Sequence, residues 1–275
     1  MATATDVKQT GEHAARSPWA RGLARWGLAS RGLLYGLVGV LAIRVAVVGR
    51  GHAPDRDTAL KTVAEQPFGR FVLALIAIGF LGYALWRFAQ AFVGGGLEED
   101  EDEGVLKRLS YAARGVIYTG IFVSTVLLLV GLGGGGDKNK EDKATSYLLD
   151  LPAGPLIVGA AGLAFIGGGL WNFYRGLSGK FREKLKLRKM SEVEDKAFTV
   201  VGTFGIVARG VVFTLVGVFL VRAAYQYDPK EAVGLDGALS EIAQAPYGLF
   251  LLGVVAAGLF AFGLYSLAEA RYREV

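Results

Sequence analysis

Three arginines stand inside long apolar runs, where a charged side chain is costly unless it has a partner. They are Arg31, Arg114 and Arg209, and each is followed by glycine, two aliphatic residues and an aromatic residue. A guanidinium group binds phosphate or carboxylate through two parallel hydrogen bonds. If the three side chains converge, the pattern predicts a site for an anion or a lipid headgroup.

Two other interpretations of these arginines stay open. Arg31 and Arg44 lie about 20 Å apart along one helix, as do Arg209 and Arg222, whereas the hydrocarbon layer is about 30 Å thick. In the first interpretation each side chain snorkels to the headgroups, so that no charge is buried. In the second, carbonyl groups at helix ends or in loops accept the hydrogen bonds.

The composition around the arginines is that of a membrane protein. Hydrophobic residues make up 52% of the chain, there are 40 glycines, and the mean hydropathy is +0.39. About 20 residues of helix span a bilayer. Six runs of about that length or more are nearly free of acidic residues: 27–48, 68–93, 111–132, 154–177, 198–224 and 247–268. We therefore predict an all-α integral membrane protein with six transmembrane helices, rather than a water-soluble bundle, for which too little polar surface is left.

The six runs form three pairs. Each arginine motif begins the first run of a pair, and Pro67, Pro152 or Pro246, followed by one residue and a glycine, begins the second. Two spans return the chain to its starting side, so the three repeats are parallel. Their simplest closed arrangement surrounds a pseudo-threefold axis. The predicted domains are a polar cytoplasmic tail at 1–17 and two-helix repeats at 18–103, 104–190 and 191–275.

The distribution of basic residues predicts the orientation. The tails and the loops after the second and fourth spans hold 15 lysines and arginines, against seven in the three other loops. Basic segments stay in the cytoplasm. We therefore expect a multi-pass protein of the bacterial cytoplasmic membrane with both termini cytoplasmic.

A short segment separates the two spans of each repeat. It contains Asp57, Asp142 or Asp236 at an equivalent place, and a carboxylate there can cap a helix N-terminus. We predict a helix of one to two turns on the outer surface, with a plain loop as the alternative.

Small residues lie beside each arginine and predict close helix packing. The small residue pairs are Gly32 with Gly36, Gly115 with Thr119, and Gly210 with Thr214. In the first span, Leu34, Leu37, Val38 and Leu41 lie on another side of the helix, which we expect to face lipid.

The residue types that are missing restrict the chemistry. The chain has no cysteine and two histidines, and Glu269 is the one carboxylate inside a span. We therefore expect no metal site, no cofactor and no catalytic residues, so that the protein is not an enzyme. Nucleic acid is not an expected partner, because the membrane explains the basic excess. Segment Lys180–Lys189 is predicted to attract anionic lipids, or else it serves topology alone.

The three arginine motifs, the Pro-x-Gly entries and the Tyr83–Trp86 ending resemble a bacterial membrane-protein family of three tandem two-helix domains, domain of unknown function 1206. The resemblance covers nearly all of the chain after residue 18, and repeat 2 departs from the pattern at Leu127 and Gly168. It implies a multi-pass protein of the bacterial cytoplasmic membrane, and it brings no known activity, substrate or cofactor.

From the residues we expect a non-enzymatic binding or scaffolding module that engages lipid headgroups or a helix of a partner membrane protein. The alternative is a small-solute or anion channel or facilitator with a pathway on the pseudo-threefold axis. A continuous polar path on that axis would favour transport, whereas glycine contacts that close it would favour the scaffold.

Overall fold

The computed structural model describes residues 18–49, 56–93, 105–131, 140–182 and 192–272. These residues are almost entirely helical and contain no strand. Six of their helices are long and apolar enough to cross a membrane, which confirms the predicted all-α membrane fold. The long helices are α1 (Pro18–Val48), α3 (Gly69–Val93), α4 (Val105–Leu129), α6 (Gly154–Leu177), α7 (Glu192–Gln226) and α9 (Gly248–Tyr272).

A short helix connects the two long helices of each repeat, as predicted. The connecting helices are α2 (Arg56–Ala64), α5 (Lys140–Leu149) and α8 (Leu235–Gln244). They contain 9, 10 and 10 residues, more than the one to two turns expected. Asp236 is not the cap of α8, because Gly234 occupies that position. The side chains of Asp57 and Asp142 lie outside the described set.

The turn between the connecting helix and the second span is the same in all three repeats. The residue between proline and glycine has a positive φ, at 60° for Phe68, 63° for Ala153 and 59° for Tyr247. The following glycine then donates its N–H to a carbonyl three residues earlier, at 2.8 Å each time. A Cβ on Gly69 would collide with the carbonyl oxygen of Val63. The glycine of the motif is therefore required by a close backbone contact.

The chain divides into two compact units. Unit 1 comprises Met1–Gly32, Leu60–Gly134 and Ser266–Val275, and unit 2 comprises Leu33–Ala59 and Gly135–Tyr265. In unit 1, α3 packs along α4, and in unit 2, α6 packs along α7. The arrangement of the three repeats around an axis stays a prediction.

The two long helices of a repeat pack in the same way in repeats 1 and 3. Gly27 of α1 lies against Tyr83 of α3, and at the equivalent positions Gly205 of α7 lies against Phe262 of α9. One further pair of equivalent contacts joins Gly79 with Ser30 and Gly258 with Ala208. The equivalence of these repeats therefore extends from sequence to helix packing.

Contacts between different repeats also share one register. Gly39 of α1 lies against the backbone of Phe260 in α9, and Gly217 of α7 lies against the backbone of Ile166 in α6. A further equivalent pair joins Gly115 with Phe88, between α4 and α3, and Gly210 with Phe173, between α7 and α6. We call the three pairings α9/α1, α3/α4 and α6/α7 the repeat interfaces.

One face of α1 was assigned wrongly from the sequence. Leu34 and Val38, expected to face lipid, are 4% and 0% exposed. The reason is that α1 packs on two sides, against α3 through Gly27 and against α9 through Gly39. The small residues beside Arg31 in the sequence pattern mark only one of these two packed sides.

The predicted small residue pairs have different surroundings. Gly36 is not at a helix contact among the described residues, because an added Cβ would meet no atom within 4 Å. Gly32 is buried, and Gly115 and Gly210 lie at repeat interfaces. Thr119 and Thr214 each donate to the carbonyl four residues earlier at 2.9 Å, so their hydroxyl groups are satisfied within their own helices.

Candidate functional site

Arg31 is buried and forms an ion pair. Its side chain, on α1 in unit 1, donates from Nη2 to the Glu269 carboxylate at 2.6 Å and to the Ser266 hydroxyl at 3.2 Å. Nη1 donates to the Tyr83 hydroxyl at 3.4 Å. The snorkelling interpretation is therefore wrong for Arg31, because a carboxylate on α9 neutralises the charge inside the protein. The helix-carbonyl interpretation does not describe these contacts either.

Arg87 is a second buried arginine in unit 1, and its partners among the described residues are all neutral. It donates to the Tyr83 hydroxyl and to the Gln90 amide oxygen, both at 2.7 Å. Its Cζ atom lies 4.5, 4.9 and 5.4 Å from the ring centroids of Trp86, Tyr83 and Tyr111. Its buried Nε has no hydrogen-bond partner in the described part of the chain. Cation–π contacts stabilise this guanidinium, but no carboxylate of the described residues neutralises it.

The Tyr83 hydroxyl accepts hydrogen bonds from both arginines and so joins them into one buried group. We call this group the arginine network, and it consists of Arg31, Tyr83, Arg87, Gln90, Ser266 and Glu269. All six side chains belong to residues that are at most 7% exposed. With two guanidinium groups and one carboxylate, the network has an excess of one positive charge when its arginines and Glu269 are ionised.

Arg114 lies on the same unit and is exposed on the protein surface. It precedes Gly115, which lies against the ring of Phe88, the residue after Arg87 on α3. Two of the three arginines singled out in the sequence therefore share one neighbourhood. Arg114 adds a further positive charge to the edge of the network.

Arg209, the third of these arginines, is half-buried in unit 2. Its Cζ atom lies 4.4 Å from the ring centroid of Phe213, 4.8 Å from that of Phe262 and 5.6 Å from that of Tyr35. Its buried Nε has no hydrogen-bond partner, and no carboxylate in the described ranges pairs with it. Convergence of all three arginines stays a prediction.

The basic segment Lys180–Lys189 is described only at its start. Lys180 lies 4.9 Å from the ring centroid of Tyr174, and Arg182 donates to the Asp195 carboxylate at 2.6 and 2.8 Å. Residues 183–189 lie outside the described ranges, so their attraction for anionic lipid stays a prediction.

Sequence reasoning missed four members of the arginine network: Tyr83, Arg87, Gln90 and Ser266. A comparison of the three second spans contains the signal, because each has two polar residues three positions apart near its C-terminal end. The polar pairs are Arg87 with Gln90, Asn172 with Arg175, and Ser266 with Glu269. One polar residue in an apolar run attracts little attention, whereas a polar pair that recurs in three helices marks a shared site.

Metal chemistry finds no support in the part of the chain that the structure describes. It contains no group of three or more histidine, cysteine, aspartate or glutamate residues that could hold a metal ion.

Comparisons with known proteins agree with the repeated architecture. The family described as Domain of Unknown Function (DUF1206) matches three segments, residues 26–94, 109–179 and 204–273. Uncharacterized protein YxxB of Bacillus subtilis (strain 168) is 31% identical over 258 residues, which cover 94% of this chain and 93% of that protein. No solved structure gives a significant match.

Proposed function

Because the chain belongs to the DUF1206 family and contains an excess of buried positive charge, we propose that it is a non-enzymatic module that binds anionic lipid headgroups. The observation that carries the proposal is Arg87, which is 4% exposed and whose partners among the described residues are all neutral. A buried charge without a counter-charge costs free energy. An external anion close to the network would reduce that cost.

Arg114 is the residue through which such an anion would be bound. It is exposed, and the next residue, Gly115, lies against the ring of Phe88, the neighbour of Arg87 on α3. Electrostatic attraction is screened less in the low-dielectric surroundings of a membrane span than in water. A phosphate at Arg114 would therefore also interact favourably with the buried Arg87.

The depth of the network suits a lipid headgroup. Arg31 and Arg114 lie in the N-terminal halves of α1 and α4, whereas Arg87 and Glu269 lie in the last turns of α3 and α9. These ends meet the basic tails and loops, so we place them on the cytoplasmic side of the bacterial cytoplasmic membrane, with both termini cytoplasmic. Anionic lipids attract basic residues at this surface.

Native mass spectrometry of the purified protein tests the proposal. We expect bound phosphatidylglycerol to survive in preference to phosphatidylcholine, and we expect Arg114→Gln to weaken this binding about tenfold, the effect of losing one charge-assisted hydrogen bond. Arg87→Gln should weaken it less, because its charge acts from a distance. The control is Arg70→Gln, which removes an exposed charge from the opposite end of α3.

Equal binding of the two lipids by the unsubstituted protein would contradict the proposal. So would equal losses in Arg114→Gln and Arg70→Gln, because they would show a response to total charge rather than to the network.

A further inference from the structure

The repeat interfaces share their geometry but differ in charge. At the α9/α1 interface, Arg31 contacts Ser266 and Glu269, which lie one helical turn apart on α9. At the α6/α7 interface, the residue equivalent to Arg31 is Arg209. The sequence equivalents of Ser266 and Glu269 are Asn172 and Arg175.

Glycine contacts establish that these positions also correspond in space. An added Cβ on Gly39 would meet the backbone of Phe260, and one on Gly217 would meet the backbone of Ile166. Arg31 precedes Gly39 by eight residues and Arg209 precedes Gly217 by eight. In the facing helices, Glu269 follows Phe260 by nine residues and Arg175 follows Ile166 by nine.

A second contact agrees with this register. The site of a Cβ on Gly210 lies 3.3 Å from the Cβ of Asn172. Asn172 is therefore beside the residue that follows Arg209, and Arg175 is on the same face of α6, one turn nearer its C-terminal end. All of these residues belong to unit 2.

By this register, Arg175 takes the position at the α6/α7 interface that Glu269 has at the α9/α1 interface, so that an arginine stands in place of a carboxylate. Arg175 donates to the Tyr265 hydroxyl at 3.2 Å. Arg209 packs on the rings of Tyr35, Phe213 and Phe262, and in the described ranges no carboxylate is paired with either arginine. Two like charges at one helix interface repel each other unless an anion lies between them.

We propose that the α6/α7 interface binds a phosphate group through Arg209 and Arg175, in the place that the Glu269 carboxylate takes beside Arg31. This site is distinct from Arg114, and its own residues, Arg209 and Arg175, both belong to unit 2. The phosphate belongs to an anionic lipid or is free inorganic phosphate, since both present the same oxygens to a guanidinium.

The test supplies the missing carboxylate from the protein itself. Arg175→Glu places an acid beside Arg209 at the position that Glu269 has beside Arg31. We expect this variant to fold, to lose one bound phosphatidylglycerol in native mass spectrometry, and to bind the lipid at this site at least tenfold more weakly. Arg175→Gln removes the charge without supplying an anion, and we expect a smaller loss.

Arg271→Glu is the matched control. It makes the same change of net charge on an exposed residue near the C-terminal end of α9, so we expect it to retain the lipid. A parallel titration with inorganic phosphate, in phosphatidylcholine nanodiscs, identifies the source. Phosphate protection against unfolding that Arg175→Glu removes would assign free phosphate, whereas loss of lipid binding alone would assign the headgroup.

The inference is overturned if Arg175→Glu and Arg209→Gln bind phosphatidylglycerol and inorganic phosphate as well as the unsubstituted protein does. It is also overturned if the unsubstituted protein binds neither of them. If Arg175→Glu does not fold, Arg175→Gln and Arg209→Lys decide the question. If these variants bind lipid and phosphate normally while Arg114→Gln binds lipid more weakly, this site is refuted and the proposed function stands.

Discussion

Arg31 and Glu269 lie 238 residues apart in the chain and meet at 2.6 Å, with their side chains only 8% and 5% exposed. The contact joins the first long helix to the last. Around it, Ser266 and Tyr83 supply further hydrogen bonds to the same guanidinium. A buried ion pair is therefore one of the contacts that connect repeats 1 and 3.

Removal of the carboxylate should destabilise the protein strongly. Glu269→Gln removes the carboxylate that Arg31 contacts at 2.6 Å, and breaking a buried ion pair of this kind costs about 3–5 kcal/mol. Thermal unfolding in detergent measures the loss. Arg222→Gln is the control, because it breaks an exposed pair with Glu231, at 3.0 Å and 52% and 28% exposure, and we expect it to cost at most about 1 kcal/mol. Similar losses in the two variants would argue against the buried pair.

Equivalent glycines should respond equally to substitution. Gly39→Ala and Gly217→Ala each force a Cβ into the backbone of a facing helix, and overpacking of this kind costs about 1–3 kcal/mol. Gly36→Ala is the matched control, because open space lies beside Gly36 and alanine favours the helix by about 1 kcal/mol. Unfolding curves in one detergent compare all three. If Gly39→Ala does not lower the stability, the backbones of α1 and α9 are not in close contact at Gly39.

The Pro-x-Gly turn predicts a stabilising substitution. Ala153 has a φ of 63°, and a left-handed conformation costs an L residue about 1–2 kcal/mol. Ala153→Gly should therefore raise the free energy of unfolding by about 1 kcal/mol, as measured by chemical denaturation. Gly154→Ala should lower it, because a Cβ there would collide with the carbonyl oxygens of Leu148 and Leu149. If both substitutions destabilise equally, the left-handed turn is not formed.

The orientation can be tested by labelling, since the chain has no cysteine of its own. Phe68 and Tyr247 are 86% and 87% exposed at equivalent turns. Single cysteines there should react with a membrane-impermeant maleimide on intact cells. Cysteines at Thr3 and Val275 should react only after lysis, because six spans return the chain to its starting side. Labelling of one terminus from outside would refute the proposed topology.

The six spans and their repetition were predictable because apolar length and motif spacing are properties of the sequence itself. The partner of Arg31 was not, because periodicity shows which residues share a face but not which helix covers it. Glu269 lies close to a span end, where a carboxylate needs no partner from the protein. Leu34 was misplaced for the same reason, since α1 has two packed sides and the sequence pattern marks only one.

The distance between Arg31 and Glu269 along the chain has a consequence for biosynthesis. Glu269 follows Arg31 by 238 residues, so the ribosome synthesises the partner about 10 to 50 s after Arg31 at typical rates of translation. During that time water or lipid headgroups must solvate the guanidinium, so the packing of the first hairpin stays incomplete. Membrane insertion of α9 then supplies Glu269 and completes this packing. We expect a chain that is truncated before α9 to be degraded by membrane proteases.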